Sequence, residues 1–222
     1  APVPEGVDYD TWLGPAPVRP FSKNRFHYNW HWFWDYGSGD MGNDGIHQID
    51  IARWGLGVGF PKAAMCSGGQ LFYNDDHETP DTQTAVFEYD GVNIIYEMRL
   101  WTPYKMEGHD NGNIFYGDNG TLSMGREGWS VTFKDGTLGP SEPRGSDELF
   151  KNFIDALRAN DPNLLQANVE EGHISTCLCH MGNISMLTKS RLEFDATSER
   201  FVNNPEANGM LSKQYRKGFE LP

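Results

Sequence analysis

Apolar residues at Ile46, Ile49, Ala52 and Leu56, with Ile51 beside them, recur at helical spacing and predict a helix from Asp44 to about Trp54. It opens from the turn Gly37-Ser38-Gly39-Asp40. Downstream the period changes. Lys62–Tyr73, Thr82–Tyr89, Val92–Trp101, Asn113–Tyr116, Thr121–Met124 and Ser130–Phe133 alternate or run apolar, and Asp90-Gly91, Asp118-Asn119-Gly120 and Asp135-Gly136 fall between them as turns. Six strands joined this way imply one open, mostly antiparallel sheet. Helical spacing then returns: Ser146 is a candidate N-cap, Asp147 and Glu148 occupy the first turn, and Leu149, Phe150, Phe153, Ile154 and Leu157 share a face that stops at Asn160-Asp161-Pro162. A longer helix is predicted from about Asn168 to Lys189, followed by Arg191–Asp195 and the extended tail QYRKGFELP. Helix, strand meander and two helices is the order of an α+β domain with helices on one face of an open sheet of about six strands. The other face needs a cover that the chain does not obviously supply.

Residues 1–36 break this pattern. Five prolines (Pro2, Pro4, Pro15, Pro17, Pro20) interleave with Trp12, Phe21, Phe26 and Tyr28, as in an extended arm pinned to a surface by aromatics. The start at Ala1 on such a segment reads as a piece of something longer. At 222 residues and 38% hydrophobic content, the chain can bury a full core. A net charge of -13, with no Lys/Arg cluster, argues against nucleic acid or an anionic membrane as a partner and favours a neutral or cationic ligand. No apolar run approaches the roughly 20 residues needed to cross a bilayer, and the N-terminus has neither the basic nor the apolar region of an export signal. Cys66, Cys177 and Cys179 form an odd set, best read as buried thiols.

The chemistry concentrates between Phe26 and Gly57. His47 falls in the first turn of the predicted helix, where the positive end of the backbone dipole disfavours imidazolium and keeps the ring a neutral base. Asn43, four residues earlier, shares its face, and an amide with an imidazole can hold vicinal hydroxyls of a polyol. Asp40 and Asp44 flank them, and Tyr28, Trp30, Trp32 and Trp34 lie upstream, residues of the kind that stack on sugar rings or simply pack. His180 and Asn183, a turn apart on the last long helix, are further candidates for such a cleft, with core hydrogen bonding as the plainer role. Gly37-x-Gly39-x-x-Gly42 has the spacing of a dinucleotide fingerprint but lacks the buried strand that must precede it. His173, Cys177 and His180 fall on one helical face, yet no fourth ligand is evident and no metal is expected. Asp75-Asp76-His77-Glu78 reads as a solvated hairpin tip.

GSGDMGNDGIHQIDIARWGLG resembles the Gly-Gly-x-x-x-Asp-x-Gly-x-His-x-x-Asp stretch that opens the C-terminal domain of the Gfo/Idh/MocA oxidoreductases, the glucose-fructose oxidoreductase and inositol dehydrogenase family. NWHWFWDY and the QYRK tail are similar to a bacterial branch of it, and the resemblance covers nearly the whole chain. It implies that residues 37–222 are a substrate-binding and oligomerisation domain, associating through the open sheet face. It also implies a separate Rossmann domain, absent from this chain, that binds most of an NAD or NADP cofactor and carries a catalytic lysine. The family's catalytic His corresponds to His47, which would exchange a proton with a sugar or polyol hydroxyl during hydride transfer. The family's Asp four residues before it is Asn43 here, so Asp40 or Asp44 is left to supply the charge.

The resulting expectation is the substrate domain of an NAD(P)-dependent sugar or polyol oxidoreductase, with His47 and Asn43 catalytic and Asp40, Asp44, Trp30, Trp34, Tyr28 and His180 binding substrate. By itself the piece is expected to be inactive. Two alternatives stand beside it: an NAD-assisted glycoside hydrolase of the same family, and a non-catalytic carbohydrate-binding or scaffolding module. The sequence leaves the compartment open between bacterial cytoplasm and export.

Overall fold

A computed structural model describes residues 1–145 and 148–220. They form two compact units whose boundary falls within two helices. One unit comprises Ala1–Ile46, Phe60–Trp101 and Cys177–Pro222; the other comprises His47–Gly59 and Thr102–Thr176.

In the first unit, β1 (Ala63–Gly69), β2 (Thr82–Glu88), β3 (Asn93–Arg99), β8 (Leu192–Asp195) and β9 (Arg200–Phe201) form a sheet of order β3-β2-β1-β8-β9, antiparallel throughout. Side-chain alternation is strict where it matters. Gln83, Ala85 and Phe87 of β2 and Ile94, Tyr96 and Met98 of β3 point inward and are buried. The C-terminal half of α5 (Val169–Thr188) covers this face with Leu178, Met181 and Ile184. Its polar residues are paired too: the Ser185 hydroxyl accepts from the Cys66 amide at 2.9 Å, and Asn183 accepts from Gln83 at 3.0 Å. Two short helices, α1 (Tyr9–Leu13) and α2 (Gly39–Asn43), and α6 (Pro205–Gly209) complete the unit. The opposite sheet face carries Met65 and Ile95, 48% and 67% exposed.

The second unit holds the meander β4 (Gly112–Gly117), β5 (Gly120–Gly125), β6 (Gly128–Phe133) and β7 (Leu138–Pro143). Helix α3 (Gly45–Leu56) lies on β4: Asn113 donates to the Gln48 carbonyl at 2.8 Å, and Gly55 meets the Phe115 ring so closely that a Cβ there would stand 2.6 Å from it. Arg53, 3% exposed, ties α3 to the start of α5, donating to the Ser175 hydroxyl at 2.7 Å, to the Glu171 carbonyl and to the Glu171 carboxylate at 3.0 Å. Ser175 in turn donates to Asp50 at 2.6 Å. α4 (Leu149–Ala159) ends at Asn160 in the left-handed conformation, as the Asn160-Asp161-Pro162 signal predicts. Its apolar face stays open, with Phe150 84% exposed.

The fold class is the one expected, an α+β arrangement with open antiparallel sheets, but the strands partition into sheets of five and four. Alternation marks a strand without naming its neighbour, and Thr102–Asn111, which contains Pro103 and Gly108, interrupts the meander. β1 also stops at Gly69 rather than Tyr73, because the next backbone amides are claimed by Asp81. The N-cap expected at Ser146, with Asp147 after it, lies outside the described residues. Glu148, at the observed cap position, makes no side-chain cap hydrogen bond.

Candidate functional site

The aromatic run is organised around a residue the sequence did not single out. Asn29–Trp32 makes one 3-10 turn whose inward side chain is His31, 4% exposed. Its Nδ1 lies 2.8 Å from the Tyr28 carbonyl, and the rings of Tyr28, Trp30 and Trp32 surround it at 5.1, 5.6 and 4.3 Å. Tyr28 and Trp30 keep their outer surfaces exposed, whereas Trp34 is half-buried. The backbone amide of Trp34 donates to Glu78 at 3.0 Å, and Arg19 bridges Glu78 and Asp35, both at 2.9 Å. Glu78 is therefore a structural anchor rather than part of a solvated tip; Asp75 and Asp76 are exposed as expected.

The glycine-rich turn that follows is itself helical, forming α2. Its glycines approach their own chain. A Cβ on Gly37 would enter the His31 backbone, one on Gly39 would stand 2.8 Å from Thr79, and one on Gly42 would overlap the Ser38 hydroxyl. The glycines at the spacing of a dinucleotide fingerprint here thus serve close packing against the chain's own residues. Met41 of α2 is fully buried against Gly182 of α5, where a Cβ would lie 2.6 Å from its sulfur, and Asn183 donates to the Ser38 carbonyl at 2.8 Å.

This seating brings Asp40 and Asp44 together with Tyr96 of β3. The Asp44 amide donates to the Asp40 carbonyl at 2.9 Å. Burial, and then the charge of Asp44, push the Asp40 carboxyl up to about 6 against the pull of the Tyr96 hydrogen bond. Tyr96 is itself pushed well above the usual phenol range, by burial first and then by the charges of Asp40, Cys179 and Asp44. Its hydroxyl passes 2.5 Å from where a Cβ on Gly45 would be, so the first residue of α3 leaves room for the phenol only as glycine. Tyr96 could have been found only as an inward-facing polar tip on an otherwise apolar strand face.

His47 is the third residue of α3, and its side chain is exposed. Asn43 is exposed too, but it closes α2 and is not part of the first turn of α3. His180 lies on α5; although its side chain reaches solvent, the protein crowded around it, and secondarily the Lys213 charge, lower its pKa and favour the neutral ring. The structure thus groups Asp40, Asp44 and Tyr96, gathers Tyr28 and Trp30 around His31, and leaves His47 exposed at a helix start. In the second unit a shallow open depression of about 480 Å³ on β4 to β6, bordered by Tyr116 and Phe133, shares no residue with these groups.

The fold and the stretch from Gly37 to Asp50 define the C-terminal α/β half of a family of oxidoreductases. A family model described as "Oxidoreductase family, C-terminal alpha/beta domain" matches residues 1–123 and 131–221, and the chain belongs to this Gfo/Idh/MocA family. Among solved structures it is similar to a putative oxidoreductase from Thermotoga maritima, at 19% identity and a TM-score of 0.53, covering 66% of this chain and 44% of that one. It is also similar to an oxidoreductase from Agrobacterium radiobacter in complex with NAD+, L-tartaric acid and magnesium, at 17% identity and TM-score 0.52, covering 68% and 47%. A third is the WlbA dehydrogenase from Bordetella pertussis in complex with NADH and UDP-GlcNAcA, at 18% identity and TM-score 0.55, covering 75% and 48%. These likenesses show the fold, and the chain spans about half the length of each structure. No protein of curated description matches it.

Proposed function

We propose that this chain is the substrate-binding and oligomerisation domain of a nicotinamide-dependent sugar or polyol oxidoreductase. The observation that carries the reading is His47, an exposed imidazole in the first turn of α3 within a stretch that matches the family model. In this reading His47 exchanges a proton with a substrate hydroxyl; within the first unit Asn43, Asp40 and Asp44 offer polar groups to hydroxyls, and Tyr28 and Trp30, with Trp34 and His180, offer surfaces to a sugar ring.

In this reading the dinucleotide and its hydride-accepting chemistry belong to a Rossmann domain outside the chain. NAD-type cofactors are named with two of the structural neighbours, and a sugar nucleotide with one. Association of copies through the open sheet face, where Met65 and Ile95 are exposed, completes the proposal.

The test is His47→Ala in the enzyme that contains this domain. Turnover of polyol or sugar substrates falls by about 10²- to 10⁴-fold while NAD(P) affinity is retained. An unaltered turnover number removes His47 from the mechanism. In calorimetry, the 222-residue chain by itself shows no micromolar affinity for NAD, and finding one overturns the division of labour.

A further inference from the structure

We propose that the tail from Lys213 to Arg216 is a clasp that orders the aromatic run for substrate, with Lys213 as its positioning residue. Lys213 holds Trp34 and Asp35 by their backbone carbonyls and itself touches no substrate. The inference rests on the function proposed above, in which Trp30 and Trp34 offer surfaces to the sugar ring, and adds to that site a residue 179 positions after Trp34.

The run from Asn29 to Tyr36 holds one 3-10 turn and no other helix or strand, so much of its backbone needs partners from elsewhere. On one side these are Glu78, which accepts from the Trp34 amide, and Arg19, which pairs with the Asp35 carboxylate. The carbonyls of the same two residues meet the tail. Lys213 Nζ donates to that of Trp34 at 2.8 Å and to that of Asp35 at 3.3 Å, and among the described residues no backbone amide donates to either. An ammonium shared by two successive carbonyls fixes the chain between them, and with it the direction in which the Trp34 indole leaves the backbone.

Lys213 alone, a charge on a flexible stem, would be a weak tether. Arg216 anchors the tail three residues further on. Its backbone amide donates to the Pro15 carbonyl at 3.0 Å, and its guanidinium donates to the Gly14 carbonyl at 3.1 Å and the Asp10 carbonyl at 2.9 Å, pairs with the Asp10 carboxylate and lies 4.8 Å from the centre of the Phe219 ring. Gly14 closes α1, so the guanidinium occupies the helix end that suits a cation. The same helix carries Trp12, whose ring lies 5.3 Å from that of Tyr36 at the end of the run. The tail thus grips the run directly at Trp34 and Asp35, and through α1 at Tyr36.

Hydrogen exchange of the 222-residue chain separates this role from a general contribution to stability. The amides of Tyr36 and Gly37 are both bonded to the Phe33 carbonyl, and those of residues 71–73 are held by Asp81 away from the tail. In Lys213→Ala, exchange at Tyr36 and Gly37 speeds up about tenfold while residues 71–73 keep their protection. Lys213→Arg, whose guanidinium can also donate to two carbonyls, restores slow exchange. Unchanged exchange at Tyr36 and Gly37, or equal acceleration at both places, overturns the proposal.

In the complete enzyme, Lys213→Ala raises KM for the sugar or polyol about tenfold and leaves kcat within about twofold, because a binding surface loses its order while the reacting groups are untouched. Lys213→Arg returns KM towards the wild-type value. Faster exchange with an unchanged KM overturns the link to substrate and the proposal with it. If His47→Ala leaves turnover intact, the oxidoreductase reading fails, and the exchange comparison still decides whether the tail orders the run.

Discussion

Asp40 shows most directly what a partly buried carboxylate costs a fold. Its pKa is raised from 3.8 to about 6, so the folded chain binds its proton more tightly than the unfolded chain does. Stability contributed by this group is therefore fully present below about pH 4 and is lost as pH rises through about 6. Asp40→Asn is expected to stabilise the chain at pH 7 by ~2 kcal/mol and to remove this part of the pH dependence. Urea unfolding of both proteins at pH 4.5 and 7.5 measures it; equal gaps between them at the two values contradict the assignment. His47 was legible because a helix start can be read from local spacing. The nearness of Tyr96 to Gly45 was not, because it joins residues on separate elements and no local pattern encodes it.

Asp81 plays the opposite part, in the segment between β1 and β2. It is fully buried and accepts the amides of Leu71, Phe72 and Tyr73 at 3.0, 2.9 and 2.9 Å and the Thr82 hydroxyl at 2.8 Å. Burial alone would raise its pKa, but these donors outweigh it and leave the carboxyl below its ordinary value. Its stabilisation is thus fully present above the ordinary carboxylate value and is lost as pH falls below that value through the lowered one of the folded chain. Asp81→Ala strips partners from three amides and is expected to cost ~2–4 kcal/mol in thermal or urea unfolding, with hydrogen exchange accelerated at residues 71–73. A variant as stable and as protected as wild type would show that the bonds are incidental. Alternation between Lys62 and Tyr73 predicted a longer strand, because nothing in those twelve residues shows that an aspartate beyond the turn would take their amides. The helices were read better: α3, α4 and α5 lie within a few residues of their predicted limits, since 3.6-residue periodicity is a local property.

The chain as a whole carries a charge of -13 and leaves apolar surface uncovered on the sheet of the first unit and on α4 of the second. Charge of one sign keeps copies apart, whereas the open sheet face draws them together, and in the proposed reading burial of Met65 and Ile95 wins at modest salt. Sedimentation of the chain is expected to show reversible, concentration-dependent association that strengthens with salt and is lost in the double variant Met65→Lys, Ile95→Lys. A wild-type chain that stays monomeric at high concentration and salt argues against association through this face. The need for a cover was legible from the strand pattern, but the division into two sheets was not, because pairing partners depend on how the intervening turns close.

The exposed face of α4 bears on how such a polypeptide fares in a living cell. Leu149, Phe150, Phe153, Ile154 and Leu157 form a greasy stripe of the sort that quality-control machinery inspects on nascent chains. With that stripe uncovered, the chain would be retained, degraded or aggregated according to how quickly it meets a chaperone, and its abundance would follow that encounter more closely than its unfolding free energy.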